Sequence, residues 1–270
     1  MVDAIPRWLR LCVPTSLTLM NLGLGVAGCV IAVAWASGGV PGSTVALLVP
    51  MGLMTAAMMA DGLDGASARR LGVTTAMGRR LDQVADGVTS ALMPASVMAS
   101  LAVSRGDAVG CAVAVAFVAC GWARLVRQAD RVGPGGGQFV GLPLPVAGWV
   151  TLTLACGLAV LGARGHAVVA VAASTVVGAL CVMMLSGVRC YPSPAGCLGR
   201  LRRRPLLPLT SIAVPMVASP WLGLGEACLL ACLSVSAVYV LDPLDRSLRR
   251  RLAAAITPAR SPSSASRSAR

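Results

Sequence analysis

Long apolar stretches separated by short polar connections make up most of this chain and predict membrane-spanning helices. We expect six core spans at about residues 14–35, 44–60, 82–103, 108–125, 144–161 and 167–187. Two further stretches, 206–221 and 222–241, predict a C-terminal hairpin. The first of these contains three prolines, which a membrane helix tolerates when its neighbours satisfy the freed carbonyl groups. The fold class is therefore all-α, a polytopic membrane helix bundle of eight transmembrane helices in total.

The same pattern divides the chain into four regions. Residues 1–13 carry Trp8 and leucines beside Arg7 and Arg10, which is typical of a short interfacial segment. A six-helix membrane domain follows at 14–192, and the hairpin occupies 193–245. Residues 246–270 form a basic, low-complexity tail that we expect to be disordered.

The distribution of charge predicts how the chain is oriented in the membrane. The net charge is +13, and all 23 basic residues are arginine. Aromatic residues make up only 3% of the chain, so a nucleic-acid partner is not expected, whereas anionic membrane lipids suit the arginines well. A cytoplasmic N-terminus leaves only Arg105 and Arg164 outside the cytoplasmic side. The chain is thus predicted to be an integral cytoplasmic (inner) membrane protein with both termini in the cytoplasm.

Two features that suggest other chemistry have simpler explanations. Most of the ten cysteines lie within apolar runs as small buried residues, and without a CxxC pair a zinc site is not expected. Residues 23–28 match the dinucleotide-binding pattern GxGxxG, but they lie in a membrane span and no strand precedes them. These glycines instead allow a neighbouring helix to approach closely, and they permit a homodimer.

Four of the ten acidic residues, Asp61, Asp64, Asp82 and Asp86, lie at the predicted cytoplasmic ends of spans two and three. Carboxylates beside lipid are costly and indicate function by default. The first two share one helical face and the last two share another, and the short connection 71–81 allows these faces to meet. Converging carboxylates repel one another unless cations neutralise them, and oxygen ligands of this kind suit Mg²⁺ or Mn²⁺.

The neighbouring residues favour a phosphate-bearing substrate. Gly65 and Ala68 share the face of the first two aspartates and remove bulk, and Arg69 can neutralise a phosphate oxygen. The simpler alternative is that the acids only pair with the surrounding arginines at the membrane surface. Four acids at this spacing among glycine and alanine favour the functional interpretation.

The run Asp61-Gly-x-Asp64-Gly65-x-x-Ala68-Arg69, followed by Gly78, Asp82 and Asp86, resembles the signature of the CDP-alcohol phosphatidyltransferase family without gap or substitution. This resemblance implies a bundle of six core helices and a bound pair of divalent cations. It also implies a CDP-activated lipid, such as CDP-diacylglycerol, whose phosphatidyl group passes to an alcohol with release of CMP. Membership would make residues 14–192 the catalytic membrane domain.

The resemblance also implies residue roles. The four aspartates correspond to the metal ligands, and Asp86 in addition to the general base that takes the proton of the acceptor hydroxyl. Three positions match residues that contact the CDP-lipid, namely Gly65, Arg69 and Thr75. Ala68 and Gly78 match the small residues that shape its pocket.

Within the family, four outlying stretches resemble the phosphatidylserine synthase subgroup and favour L-serine as the acceptor. They are 14–25, 123–127, 139–145 and 185–192. Departures lie near the expected acceptor side: Thr89-Ser90-Ala91 stands where the subgroup has Ser-Phe-Gly, and Gln128-Ala129 where it has Phe-Asn. These departures put the identity of the acceptor as serine in question more than the transfer reaction itself.

Four polar residues outside the signature are weaker candidates for substrate binding. Thr18 and Asn21 on the first span are interpreted as nucleotide contacts, with an interhelical hydrogen bond as the alternative. Arg124 and Arg127 suit an acceptor carboxylate or phosphate, or else are ordinary membrane anchors. Glycerol phosphate and inositol phosphate remain alternative acceptors. A divalent-cation transporter remains as a non-enzymatic alternative.

Overall fold

The structure is a computed structural model that describes residues 6–38, 44–129, 141–162 and 167–186. Every regular element in these ranges is helical, which confirms the all-α prediction. The α-helices are α1 Arg7–Gly38, α2 Thr44–Leu71, α3 Ala76–Asp86, α4 Met93–Ser104, α5 Ala108–Ala129, α6 Leu144–Gly162 and α7 Ala167–Leu185. A π-helix, Gly87–Leu92, joins α3 to α4, and we call it the π segment.

Each of the six predicted core spans coincides with a helix. Four stretches are long and apolar enough to cross a membrane by length and composition, namely Trp8–Gly38, Ala46–Leu71, Ala76–Ser104 and Ala108–Gln128. The last two helices contribute the shorter apolar stretches Leu144–Ala159 and Ala170–Leu185. The predicted hairpin and tail lie outside the described residues, so the total of eight spans stays a prediction.

Two helices begin earlier than the apolar pattern indicated. α1 starts at Arg7, so residues 7–13, expected as a separate interfacial segment, form the first turns of the same helix as the first span. α3 starts at Ala76 because the Thr75 side chain caps it, accepting a hydrogen bond of 2.9 Å from the Gly78 backbone N–H. Asp82 therefore lies inside a helix rather than at its start.

The acidic stretch is carried around a tight turn between α2 and α3. α2 continues past its apolar part to Leu71, and Gly72 follows with φ of +64°, a left-handed conformation that glycine adopts without strain. The buried Val73 then donates its backbone N–H to the Ala68 carbonyl at 3.0 Å. α1 packs against both α2 and α3, so it holds the two acid-bearing helices on one side of the bundle.

The π segment lies at the centre of the described bundle. It contacts α1, α4, α5 and α6, and most of its residues are buried. Glycines on three helices allow this approach. A Cβ at Gly25 of α1 would lie 2.5 Å from Thr89 Oγ1, and one at Gly121 of α5 would lie 2.9 Å from the Ala91 Cβ. A Cβ at Gly148 of α6 would overlap the Ser90 carbonyl oxygen.

Two of the three glycines in residues 23–28 of α1 allow close helix packing, as predicted. Added Cβ atoms at Gly25 and Gly28 would collide with Thr89 and Met93, so both glycines do permit close helix packing. Gly23 has no atom within 4 Å of such a Cβ, so the explanation does not extend to it. The homodimer that these glycines would permit stays a prediction.

Gly148→Ala should destabilise the bundle, since its methyl group would meet the Ser90 main chain, which cannot rotate away as a side chain would. We expect a loss of about 1–3 kcal/mol, the usual range for overpacking, seen as a lower thermal unfolding midpoint in detergent micelles. Gly157→Ala is the matched control on the same helix, where a Cβ has no atom within 4 Å. Equal midpoints for the two variants would contradict the close approach.

Candidate active site

Three carboxyl groups from two helices meet at one end of the bundle. Asp61 and Asp64 lie one turn apart near the end of α2, and Asp82 lies on α3. One carboxylate oxygen from each lies within 4.8 Å of the other two. The prediction that the two acidic helix faces meet is therefore confirmed for these three residues.

The donor set of this group fits a divalent cation. Oδ1 of Asp82 is buried and has no hydrogen-bond partner among the described residues. An unpaired buried carboxylate oxygen is costly, and two further carboxylates beside it add repulsion. A hard cation such as Mg²⁺ or Mn²⁺ would satisfy that oxygen and offset the repulsion. The three aspartates are thus the residues that could hold a metal ion.

A buried hydroxyl group orients one of the three carboxylates. Thr18 Oγ1 on α1 donates to Asp64 Oδ2 at 2.5 Å, and both side chains are buried. The same hydroxyl lies 3.0 Å from the Pro14 carbonyl in its own helix. Partners of this kind fix the direction of a metal ligand. Thr18 was predicted to face the nucleotide, and the structure gives its hydroxyl an interhelical contact with Asp64.

Asp86 is not one of the three carboxylates whose oxygens converge, although Asp82 and Asp64 lie close enough to interact with it electrostatically. It ends α3, immediately before the π segment, and is half-buried. Asn21 Nδ2 donates to its Oδ1 over a long distance of 3.5 Å. The buried Arg124 lies close enough to interact with it electrostatically. Asp86 therefore has an amide and a cationic neighbour in addition to the other acids, and its predicted role as a metal ligand stays a prediction.

The predicted lipid-binding residues flank the cluster on α2 and the turn. Gly65 and Ala68 are half-buried, and the exposed Arg69 folds back so that a Cβ at Gly65 would lie 3.2 Å from its guanidinium nitrogen NH1. Thr75 and Gly78 already serve the cap of α3, where a Cβ at Gly78 would lie 3.0 Å from Thr75 Oγ1. The helix cap thus explains why residue 78 is small. The substrate-binding roles of all five residues stay predictions.

The two arginines near the end of α5 have different surroundings. Arg124 is buried and donates from NH1 to Gln128 Oε1 at 3.0 Å. Arg127 donates from NH1 to the Leu185 carbonyl at the end of α7, at 2.8 Å. That contact satisfies a terminal helix carbonyl, so the guanidinium of Arg127 has a structural partner in Leu185, as that of Arg124 has in Gln128.

Thr89 is a site neighbour that the sequence reasoning did not select. Its buried hydroxyl donates to Asn21 Oδ1 at 2.9 Å, and Asn21 is the residue that contacts Asp86. The available signal was its place as the first residue of a departure from the subgroup pattern, three positions after Asp86. Without the π segment, that spacing did not indicate a contact with the first span.

The chain is similar to known proteins over much of its length. The profile of the family described as CDP-alcohol phosphatidyltransferase matches residues 11–238. A CDP-diacylglycerol–serine O-phosphatidyltransferase of Bacillus subtilis is 33% identical over 101 residues, which are 36% of this chain and 54% of that protein. Proteins of the same name from Mycobacterium bovis and Mycobacterium tuberculosis are 37% identical over 108 residues, 38% of this chain and 37% of each relative. The chain thus matches about half of the first relative's length and less of the others.

Asp61→Asn and Asp82→Asn should each weaken Mn²⁺ binding to the purified protein by at least about tenfold, since each removes a carboxylate ligand. Electron paramagnetic resonance of free Mn²⁺ during titration measures this. Asp107→Asn is the matched control, because Asp107 Oδ1 accepts from the Gly110 backbone N–H at the start of α5, a contact that asparagine also makes.

The same variants separate a cation site from a set of surface ion pairs. In excess chelator, Asp82→Asn should unfold at a temperature equal to or above that of the unchanged protein, because it relieves repulsion in the metal-free cluster. A lower midpoint in chelator, together with unchanged Mn²⁺ affinity, would mean that the acids only pair with arginines.

Proposed function

The chain belongs to the CDP-alcohol phosphatidyltransferase family, and on that premise we propose that it transfers the phosphatidyl group of CDP-diacylglycerol to the hydroxyl of a small alcohol. L-Serine is the acceptor we favour, with phosphatidylserine and CMP as products. The observation that carries the proposal is the meeting of Asp61, Asp64 and Asp82, where the buried Asp82 Oδ1 has no hydrogen-bond partner within the described part of the chain. Cations bound together with a diphosphate substrate would supply the partner that this oxygen requires.

The three aspartates would hold Mg²⁺ or Mn²⁺ together with the diphosphate of the donor. When bound, the cations neutralise charge on the phosphoryl oxygens and on the departing CMP. Thr18 keeps the Asp64 carboxylate directed at the cluster. We assign Asp86 as an additional ligand for a second cation, as the resemblance implies.

The donor lipid would enter beside the end of α2. Gly65 and Ala68 leave room against that helix, and Arg69 at the exposed rim is placed to pair with a phosphate oxygen. We assign Thr75 and Gly78 to the edge of the same pocket, where the capped start of α3 presents them. These five residues would bind and orient the donor without taking part in proton transfer.

Asp86 is the residue we assign as general base. Its Oδ1 receives the Asn21 amide, so Oδ2 is the oxygen we assign to the proton of the acceptor hydroxyl. As that proton moves to Asp86, the acceptor oxygen bonds to the lipid-bearing phosphorus, and the bond from that phosphorus to the oxygen of CMP breaks. CMP leaves with the bonding electrons, and the proton later passes from Asp86 to water.

The acceptor side favours serine over a phosphorylated alcohol. Arg124 is buried close to Asp86, so its guanidinium suits a single carboxylate held near the base. A phosphorylated acceptor requires a stronger basic pocket, whereas the Arg127 guanidinium already donates to the Leu185 carbonyl. The relatives from Bacillus subtilis and Mycobacterium, whose names include serine, support the same choice over the matched segments.

We place the site on the cytoplasmic side of the membrane, where CDP-activated lipids and CMP meet soluble acceptors. Four exposed arginines surround the acid-bearing turn, namely Arg69, Arg70, Arg79 and Arg80. Arg105 lies in the connection at the other end of the helices, between α4 and α5. This asymmetry follows the usual excess of basic residues on the cytoplasmic side.

Purified protein with CDP-diacylglycerol and Mn²⁺ should release CMP when L-serine is added, and mass spectrometry should detect phosphatidylserine. Glycerol 3-phosphate and inositol 1-phosphate, tested in parallel, should give much less product. Excess chelator should stop turnover, and added Mn²⁺ should restore it. No alcohol-dependent CMP release with any acceptor would overturn the transferase proposal, and release with a phosphorylated acceptor alone would overturn the assignment of serine.

Asp86→Asn should lower kcat by about 10²- to 10⁴-fold, the usual contribution of a general base, while the unfolding midpoint and the affinity of the Mn²⁺ ion held by Asp61, Asp64 and Asp82 change little. Loss of kcat with this Mn²⁺ site intact separates Asp86 from the three-carboxylate group. Asp107→Asn, at the far end of α5, should keep full activity. A kcat for Asp86→Asn within twofold of the unchanged protein would sink the assignment of the base.

A further inference from the structure

One buried hydrogen-bond chain reaches from the π segment to the carboxylate assigned as base. Thr89 Oγ1 lies 2.9 Å from Asn21 Oδ1 and 3.1 Å from the Asn21 backbone carbonyl. Asn21 Nδ2 in turn lies 3.5 Å from Asp86 Oδ1. Thr89 and Asn21 are each 1% exposed, so water does not replace these contacts.

The Thr89 hydroxyl determines which end of the Asn21 amide faces Asp86. A threonine hydroxyl has one proton to donate, and both of its acceptors here belong to Asn21. With Oδ1 receiving that proton, the amide nitrogen turns to the other side and donates to the carboxylate. Without the hydroxyl, the buried Oδ1 would lose its donor, and nothing on α1 would prevent the amide from rotating away from Asp86.

The π segment brings Thr89 to this position. A π-helix accommodates an extra residue within the helical path and so changes the faces on which the following side chains lie. α1 comes close enough only because residue 25 is glycine, where a Cβ would lie 2.5 Å from Thr89 Oγ1 and 3.0 Å from the Thr89 Cα. Both the side chain and the backbone of Thr89 therefore pack directly on α1.

We propose that Thr89 is a positioning residue for phosphatidyl transfer, one that aims the Asp86 carboxylate at the acceptor hydroxyl by fixing the Asn21 amide. The proposal rests on the proposed function, in which Asp86 takes that proton. It also gives Asn21 a role toward the base. The Thr89 hydroxyl bonds to Asn21 within the described residues, so we assign its effect on the reaction to the path through Asn21 and Asp86.

The test compares two substitutions that separate the hydroxyl from the methyl group. Thr89→Val keeps the branched shape and removes the donor, whereas Thr89→Ser keeps the donor and removes the methyl. Thr153→Val is the matched control, because Thr153 is also fully buried but its hydroxyl donates to the Trp149 carbonyl in its own helix. Steady-state kinetics are measured at varied CDP-diacylglycerol and varied acceptor.

Thr89→Val should lower kcat by about 10- to 100-fold, the scale of a misaligned catalytic group, with KM for CDP-diacylglycerol and Mn²⁺ affinity within about twofold. Thr89→Ser and Thr153→Val should stay near the unchanged protein. Equal kcat for Thr89→Val and the unchanged protein would overturn the proposal. So would a defect confined to KM for the donor, which would place Asn21 on the nucleotide instead, or an equal defect in Thr89→Ser, which would make the methyl group responsible.

A double-mutant comparison excludes a purely structural role. In an Asp86→Asn background, Thr89→Val should lower the residual kcat by less than about twofold, since residues that act through one another are not additive. An undiminished further loss would mean that Thr89 acts independently of Asp86. If Thr89→Val does not fold, Thr89→Ala removes the same donor without a branched side chain against Gly25 and carries the same expectation.

Assays of the unchanged protein distinguish a failure of the Thr89 role from a failure of the proposed transferase function. Turnover in the unchanged protein that is equally fast in Thr89→Val overturns the role of Thr89 and leaves the transferase function standing. Absence of alcohol-dependent CMP release from the unchanged protein overturns both.

Discussion

Holding one oxygen from each of three like-charged carboxylates within 4.8 Å of the other two is the constraint around which the described helices are arranged. Repulsion alone would separate α2 from α3, and the turn between them is too short to oppose it by packing of its own. Gly72, with its positive φ, and the Thr75 cap fix the reversal of the chain, and α1 packs on both helices. The geometry is thus imposed on the acids from outside, which leaves their oxygens available for a cation.

The same helix that holds the acids together also ties them to the core. α1 contributes Thr18 to Asp64, Asn21 to Asp86 and Gly25 to the π segment, at successive turns of one face. Glycines of α5 and α6 also approach the π segment closely, Gly121 at the Ala91 Cβ and Gly148 at the Ser90 carbonyl oxygen. Helices packed this closely transmit small displacements, which makes the core part of the geometry of the site.

The general arrangement could be predicted from the sequence, because it depends on repeating patterns. Apolar runs of sufficient length indicated the six helices, and spacings of three and four residues placed the aspartates on facing sides. The π segment could not be predicted, since residues 87–92 have the composition of an ordinary apolar helix and the segment packs against helices distant in sequence, namely α1, α5 and α6. The contacts of Thr89 and Arg127 were missed for the same reason, because each joins segments that are distant in sequence.

In the proposed reaction, Asp86 has a role that the other three aspartates of the signature do not have. A carboxylate that binds a cation with two others has its oxygens occupied, whereas a base needs an oxygen directed at the acceptor. Asp86 is the last residue before the helical path changes, and it accepts a hydrogen bond from the Asn21 amide in addition to interacting electrostatically with Asp82 and Asp64. Under the proposed function, the change from α-helix to π-helix would occur where the chain passes from residues assigned to the donor to residues assigned to the acceptor. Variation at 89–91 and 128, where this chain departs from the serine-using subgroup, would then alter acceptor geometry without disturbing the cation site.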